Sequence, residues 1–171
     1  MIGGMPSLLE LPHTPGCLVC GPQNPFGLKM SLHVDPDTGI VHVNFAPRAE
    51  HIGFEGIVHG GMIATVIDEA MVWAATWAGK RFCVCGEMSV RFRRPSVVGE
   101  DLHLEARVEF ARPKLIQAAA TIRTPDRQIV AAGEGKYVPM AAEQSQRVMQ
   151  SFVDDERTRE AAGMLMRGTA S

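Results

Sequence analysis

One long apolar helix constrains the fold of this 171-residue chain more than any other feature. From Met62 to Ala78 apolar residues fall on all sides of the helix, and Asp68 and Glu69 are its only charged residues. A helix of this kind is buried all round rather than laid on a surface. We predict that it ends near Gly79, because glycine suits the position after a helix. The rest of the chain must therefore cover it on every side.

Strands are predicted on both sides of this helix. Before it, apolar and polar residues alternate over residues 28–34 and 41–45, and a turn between them completes a β-hairpin. After it four more strands are predicted, over residues 82–93, 102–110, 115–123 and 128–138. Such alternation favours antiparallel strands with one packed face. We predict an α+β fold with a curved antiparallel sheet around one long buried helix, whose uncovered remainder indicates a partner subunit.

The composition divides the chain into three segments. Residues 1–27 contain five of the eleven prolines, which indicates an irregular lead-in. Residues 28–139 carry the strands and the buried helix and are predicted to form the main domain. Residues 140–171 are predicted to add one amphipathic C-terminal helix, ending near Ala162 and followed by a frayed tail.

Charge and hydropathy exclude several classes of function. The formal net charge is −2 and the lysines and arginines are scattered, so no basic stripe for nucleic acid is present. The first residues lack the basic and apolar regions of a signal peptide. The longest apolar stretch is interrupted by two carboxylates, which argues against a membrane span. We expect a cytoplasmic protein that binds neither nucleic acid nor a membrane.

The four cysteines form two close pairs. Cys17 and Cys20 have the spacing of half a zinc site, and Cys83, Cys85 or His13 are candidates to complete it. Cys83 and Cys85 share one strand face because successive strand residues alternate. Free thiols also occur in protein cores without a metal. We expect free thiols and no metal site, with zinc as the alternative.

The start of the buried helix combines glycines with a carboxylate. Gly60 and Gly61 leave backbone N–H groups able to approach a ligand oxygen. Burying a carboxylate such as Asp68 costs free energy, and a carboxylate that is nevertheless buried usually has a functional role. This combination is typical of acyl transfer or hydrolysis. In such a reaction Asp68 either delivers a water molecule to the acyl carbon or attacks that carbon itself, and the glycine N–H groups bind the oxyanion. His59 either orients this turn or the substrate carbonyl, or simply bonds to the backbone.

The two halves of this site are too far apart within one chain. Nine residues from His59 to Asp68 rise about 13.5 Å along a helix. Both groups must approach one acyl carbon to within about 3 Å. We therefore predict a composite site, with Gly60 from one protomer and Asp68 from its two-fold mate. The alternative is a structural Asp68 paired with an arginine such as Arg91. Glu69 points about 100° away and is predicted to be structural.

Three segments together resemble a known family. Residues 56–70 contain His-Gly-Gly with Asp68 nine residues after the histidine, residues 88–95 end a strand in Arg-Arg-Pro, and Gly-Glu follows at 99–100. They resemble the hot-dog-fold acyl-CoA thioesterases, in particular the PaaI-like and thioesterase-superfamily-member branch. The cysteine-containing lead-in at 17–28 resembles one bacterial subset. The resemblance covers residues 17–138.

The resemblance implies a helix wrapped by a sheet, in homodimers whose sheets join edge to edge and which often pair into tetramers. It implies no metal and no cofactor other than the acyl-CoA substrate. It also implies that Asp68 is nucleophile or general base and that the Gly60 N–H polarises the thioester carbonyl. Two residues depart from several family members. Gly53 replaces an Asn, and Cys85 replaces a Ser or Thr that helps to hold substrate or water.

Substrate contacts are predicted from the same strands. A thiol is a poorer hydrogen-bond donor than a hydroxyl, so Cys85 weakens or reshapes the acyl site; a nucleophilic Cys85 lacks a neighbouring base. Arg91, Arg93 and Arg94 are candidates for the phosphates of coenzyme A. Arg91 and Arg93 share a face while Arg94 points the other way, and solvated or ion-paired arginines are the alternative.

These residues predict an acyl-CoA thioesterase that acts through Asp68. The alternative is a non-catalytic acyl-CoA binding or sensing protein on the same fold, which the two departures favour. A hot-dog hydratase is disfavoured, because His59 and Asp68 lie at different centres within one chain.

Overall fold

A long helix lies across one face of a seven-stranded antiparallel sheet in this computed structural model, which describes residues 7–168. The strands are β1 (Leu9–Glu10), β2 (Leu32–Val34), β3 (Val41–Phe45), β4 (Ile52–Phe54), β5 (Ile57–Val58), β6 (Cys83–Phe92), β7 (Leu102–Arg112), β8 (Leu115–Arg123) and β9 (Ile129–Pro139). The helices are α1 (Gly60–Gly79), α2 (Ala142–Gln150) and α3 (Arg159–Gly168). The sheet order is β1-β2-β3-β7-β8-β9-β6, and β4 pairs with β5 separately.

The predicted architecture is confirmed. Helix α1 packs against β3, β6, β7, β8 and β9, so the sheet surrounds much of it. Within residues 7–168, no helix is both long enough and apolar enough to cross a bilayer. Helix α1 ends where predicted, but Lys80 rather than Gly79 takes the left-handed backbone conformation, with φ of 51°. The hairpin of β2 and β3 is confirmed, although its first strand begins at Leu32, because the preceding residues bond to the lead-in instead.

Small residues let the helix approach the sheet closely. A Cβ atom at Gly133 of β9 would lie 2.6 Å from the Ile67 side chain of α1. The helix axis could not lie as close to β9 with any larger residue there. The glycine therefore fixes the distance between α1 and the strand that later supplies a residue to the site.

Strand β6 contains a β-bulge that reverses its alternation. The pairing with β9 shifts between Cys85 and Glu87. Val84 is exposed, whereas Met88 and Val90 pack against the core. Regular alternation along residues 82–93 would place Val84 on the same face as Met88 and Val90, but the bulge inserts one residue and reverses the phase. Cys83 and Cys85, before the bulge, share one face as predicted.

The hairpin of β4 and β5 was not predicted. Its two-residue turn has positive φ at Glu55 and Gly56, the turn type that matches strand twist. The hairpin leads directly into α1, and the His59 N–H donates to the His51 carbonyl at 2.8 Å. It therefore fixes where the helix begins.

The C-terminal region is helical but not continuous. We predicted one helix ending near Ala162, and the structure has α2 and α3 instead. The break follows from Asp155, whose carboxylate accepts the Arg157 N–H at 3.0 Å and whose carbonyl accepts the Thr158 N–H at 3.1 Å. A short polar side chain that bonds nearby backbone in this way competes with helix formation. The predicted frayed tail after Ala162 is wrong for residues 163–168, which belong to α3, and its last residues, 169–171, lie outside the described residues.

A glycine-to-alanine pair tests the close approach of α1. Gly133→Ala forces its methyl group against Ile67, and overpacking of this kind costs about 1–3 kcal/mol of unfolding free energy. Gly163→Ala, inside α3, meets only the flexible end of Arg167 and should be neutral or stabilising by up to about 1 kcal/mol. Urea unfolding of both variants measures the difference. Equal stabilities would contradict this account of the helix–sheet contact.

Candidate active site

Asp68 lies halfway along α1 and is held by a tyrosine. The Tyr137 hydroxyl donates a hydrogen bond to Asp68 Oδ1 at 2.8 Å. Tyr137 lies on β9 directly opposite Cys85 of β6. Burial raises the pKa of the Cys85 thiol, and the Asp68 carboxylate raises it further. The structure thus brings Asp68, Tyr137 and Cys85 together at the β6 edge of the sheet.

Tyr137 was missed by the sequence analysis. Its side chain is fully buried, and a Cβ atom at Gly135 would lie 2.8 Å from its ring. Burial raises the pKa of the Tyr137 hydroxyl far above its usual range, and the Asp68 carboxylate raises it further. The phenol therefore stays protonated and donates to Asp68. One signal was available, since Tyr137 is the only tyrosine and a buried hydroxyl needs a partner.

Glu69 faces another side of α1. Trp73 Nε1 donates to Glu69 Oε1 at 3.0 Å, and Cys17 Sγ lies 3.8 Å from the same oxygen. Burial, with a smaller contribution from Cys17, raises the pKa of the Glu69 carboxyl to about 7. The two adjacent carboxylates thus occupy separate environments, Asp68 at the sheet edge and Glu69 against the lead-in.

The start of α1 presents one free N–H group to a cavity. His59 caps the helix, and its Nδ1 accepts the Gly61 N–H at 2.9 Å. The Gly60 N–H precedes it and has no acceptor among the described residues. Beside Gly60 lies a cavity of about 390 Å³, lined partly by Phe54 and Phe92. Of the two predicted oxyanion donors, Gly60 is therefore the available one.

One chain does not bring the two halves of the site together. Gly60 and Asp68 are eight residues apart on α1, which corresponds to about 12 Å along the helix axis. No arginine within residues 7–168 lies within ion-pair distance of Asp68, so the alternative pairing with Arg91 is not observed. The carboxylate is instead bonded to a neutral phenol.

The three candidate arginines are divided less cleanly than predicted, because Arg93 lines both the cavity beside Gly60, together with Arg94, and a groove that it shares with Arg91. Arg91 and Arg93 line a shallow groove of about 240 Å³ on the outer face of the sheet, together with Arg107. Arg94 forms an ion pair with Glu100 and also donates to the Pro95 carbonyl at 2.9 Å. Arg91 and Arg93 are thus open to a ligand, whereas Arg94 is engaged within the chain.

Strand β6 forms an open edge beside the site. It is ten residues long and ends the sheet, so its outer N–H and C=O groups lack a strand partner in the described chain. Val84 and Phe92 at its two ends are exposed by 43% and 53%. Asp68 and Cys85 lie next to this edge, at the end opposite Phe92.

Glu69 rather than another cysteine or His13 completes the Cys17 and Cys20 group. Among residues 7–168, the ligand atoms of Cys17, Cys20 and Glu69 lie within 4.8 Å of one another. Cys83, Cys85 and His13 are not part of this group, so the predicted candidates for its completion are wrong. All four cysteines are free thiols, as expected, but only Cys20 and Cys83 are buried.

Comparison with known proteins gives one family match and several solved structures of similar fold. A sequence model of the thioesterase superfamily matches residues 55–131, which include the helix start, Asp68 and β6 to β8. The expected resemblance to hot-dog-fold thioesterases is confirmed. A comparison with curated protein sequences gave no match.

Several solved structures have a similar fold. Protein RHA08564, a thioesterase superfamily protein, is 29% identical with a TM-score of 0.67, covering 72% of this chain and 60% of that protein. The Escherichia coli PaaI protein from the phenylacetic acid degradation operon is 22% identical with a TM-score of 0.61, covering 67% and 81%. The smu.793 protein of Streptococcus mutans, bound to acetyl CoA, is 19% identical with a TM-score of 0.58, covering 61% and 83%.

The two departures from the pattern that the sequence resembles lie at the two halves of the candidate site. Gly53 packs against His59, since a Cβ atom there would lie 3.2 Å from the His59 Cα. Cys85 lies beside Asp68 and Tyr137. The substitutions thus affect the helix cap and the surroundings of the carboxylate, respectively.

Tyr137→Phe tests whether the phenol positions Asp68. The change removes one hydrogen bond to a charged group, an interaction that contributes about 1.5–3 kcal/mol. For the thioester hydrolysis proposed below, we expect kcat to fall about tenfold or more, with little change in KM. Steady-state kinetics measure kcat and KM separately. Phe82→Tyr, which adds a hydroxyl group outside the site, serves as the control. An unchanged kcat would show that the bond has no part in the reaction.

Proposed function

We propose that this protein is an acyl-CoA thioesterase that hydrolyses the thioester to a free acid and coenzyme A. The observation that carries the proposal is Asp68 fixed by Tyr137 at the open β6 edge, about 12 Å along the helix from the Gly60 N–H. A carboxylate and an oxyanion donor are the two groups that this reaction needs. We propose a homodimer, or a dimer of dimers, in which they come from different protomers.

The reaction follows from the way Asp68 is held. The Tyr137 hydroxyl donates its hydrogen bond to Oδ1 of Asp68. The other oxygen, Oδ2, is therefore free to take a proton from water as the water oxygen attacks the thioester carbon. The Gly60 N–H stabilises the oxyanion, and His59 orients the glycine turn by holding the Gly61 N–H. The C–S bond then breaks, and the coenzyme A thiolate takes up a proton. Direct attack by Asp68, followed by hydrolysis of the anhydride, gives the same products.

An antiparallel β6–β6 contact would assemble this site. Phe92, at one end of β6, lies against Gly60, whereas Cys85, at the other end, lies beside Asp68. In an antiparallel pair, the end of one strand lies beside the start of the other. The Gly60 end of one protomer therefore comes beside the Asp68 end of its mate. The contact would also cover the exposed Val84 and Phe92 side chains.

Coenzyme A would bind along the arginines. Arg91 and Arg93 offer guanidinium groups on an open groove, and guanidinium groups suit phosphate. Arg94 supports the strand end through Glu100 and contributes less. Hydrolysis consumes only water, so the proposed reaction uses no cofactor. Four free thiols fit a reducing compartment, and we propose that the protein acts in the cytoplasm.

A binding or sensing protein is the second candidate function. The specific observation that favours it is Cys85, a weak hydrogen-bond donor at the position beside Asp68 where several family members carry a hydroxyl. Such a protein would bind acyl-CoA without cleaving it.

Asp68→Asn separates the two functions. Loss of a general base slows a reaction by about 10²–10⁴-fold, so we expect the variant to lose nearly all release of free coenzyme A thiol. The assay uses short, medium, long and aromatic acyl-CoAs, with Asp101→Asn as an exposed matched control. Saturable acyl-CoA binding without turnover in the wild type would favour the binding protein. Full turnover by Asp68→Asn would contradict the role of this carboxylate.

A further inference from the structure

We propose that Cys17, Cys20 and Glu69 bind one divalent cation that prefers sulfur ligands, with Zn²⁺ as the best match. This ion would link the lead-in to α1. The two sulfurs and a carboxylate oxygen lie within 4.8 Å of one another. The proposal departs from the sequence expectation of no metal, and it does not depend on the proposed hydrolysis.

The spacing of the ligand atoms fits a single ion. Cys17 Sγ lies 3.8 Å and 4.0 Å from the two oxygens of Glu69. In a tetrahedral zinc site, with Zn–S of about 2.3 Å and Zn–O of about 2.0 Å, a sulfur and an oxygen ligand lie about 3.6 Å apart. Only a small adjustment of the side chains is needed to place an ion between them.

The backbone around Cys17 is shaped to hold a thiolate. The N–H groups of Val19 and Cys20 point at Cys17 Sγ, at 3.3 Å and 3.5 Å. The turn closes so tightly that a Cβ atom at Gly21 would lie 2.4 Å from the Cys17 backbone N and O. Two-residue spacing between cysteines is also the spacing of zinc half-sites. The Cys17–Gly21 turn thus presents two sulfurs on one side.

Glu69 is oriented towards these sulfurs from α1. Trp73 Nε1 holds Oε1 at 3.0 Å, which leaves Oε2 as the oxygen for the cation. Outer hydrogen bonds of this kind fix the direction of a metal-binding carboxylate. A water molecule would fill the fourth tetrahedral position, since three protein ligands are present.

Charge also favours a cation here. Two cysteines and one glutamate are grouped where Cys20 is buried and the other two are half-buried. Removing negatively charged side chains from water costs free energy unless a positive charge lies nearby. Binding of Zn²⁺ breaks two S–H bonds, forms two Zn–S bonds and releases two protons to the solvent. The ion would join a proline-rich segment to the helix residue next to Asp68.

Zinc titration of the full chain tests the proposal. The reduced, chelator-stripped protein is titrated with Zn²⁺ against a chromophoric chelator, and we expect one ion per chain and a higher Tm. Cys17→Ser and Cys20→Ser should lose the site, and Glu69→Gln should weaken it at least about tenfold. Cys83→Ser is the matched control and should keep one ion. Zinc uptake that is sub-stoichiometric, or unchanged in both serine variants, would overturn the proposal.

A second measurement needs no variant. Bound zinc should protect the half-buried Cys17 from alkylation by iodoacetamide, whereas Cys85, which is not part of the group, serves as the internal reference. Mass spectrometry of the peptides reads out each thiol separately. Equal alkylation of Cys17 with and without zinc would show that it does not bind the ion.

Discussion

Burial of one helix on nearly all sides is the constraint on which the rest of this structure depends. A helix so apolar must be surrounded, and the sheet reaches it closely because β9 has Gly133 where it meets Ile67. The same close contact brings β9 and β6 up to Asp68, where a buried phenol can serve as its partner. The position of the carboxylate is therefore a consequence of how the helix is packed.

Helix α1 places its two carboxylates, Asp68 and Glu69, in different environments. Asp68 faces the open β6 edge, bonded to Tyr137 and beside Cys85. Glu69, one residue later, faces the lead-in, where it contacts Trp73 and Cys17. A step of about 100° per residue keeps the two carboxylates apart. The lead-in thus serves as cover for the side of the helix that the sheet leaves open.

The sequence predicted the local features well, because periodicity and turn residues act within a few positions. The helix, the β2–β3 hairpin and four later strands all appear in the structure. Long-range features were missed. The bond of Tyr137 to Asp68 and the approach of Glu69 to Cys17 join residues 69 and 52 positions apart. The bulge in β6 was hidden for another reason, since one inserted residue reverses the alternation that the prediction used.

Mixed dimers test the composite site most directly. Gly60→Pro removes one N–H, and proline suits the first position of a helix, particularly after the extended His59 backbone. Gly60→Pro and Asp68→Asn chains, each inactive alone, are co-expressed with different tags and purified as heterodimers. One site of each heterodimer then has both wild-type groups, so we predict about half of wild-type thiol release. Heterodimers as inactive as the parent variants would contradict a site shared between protomers.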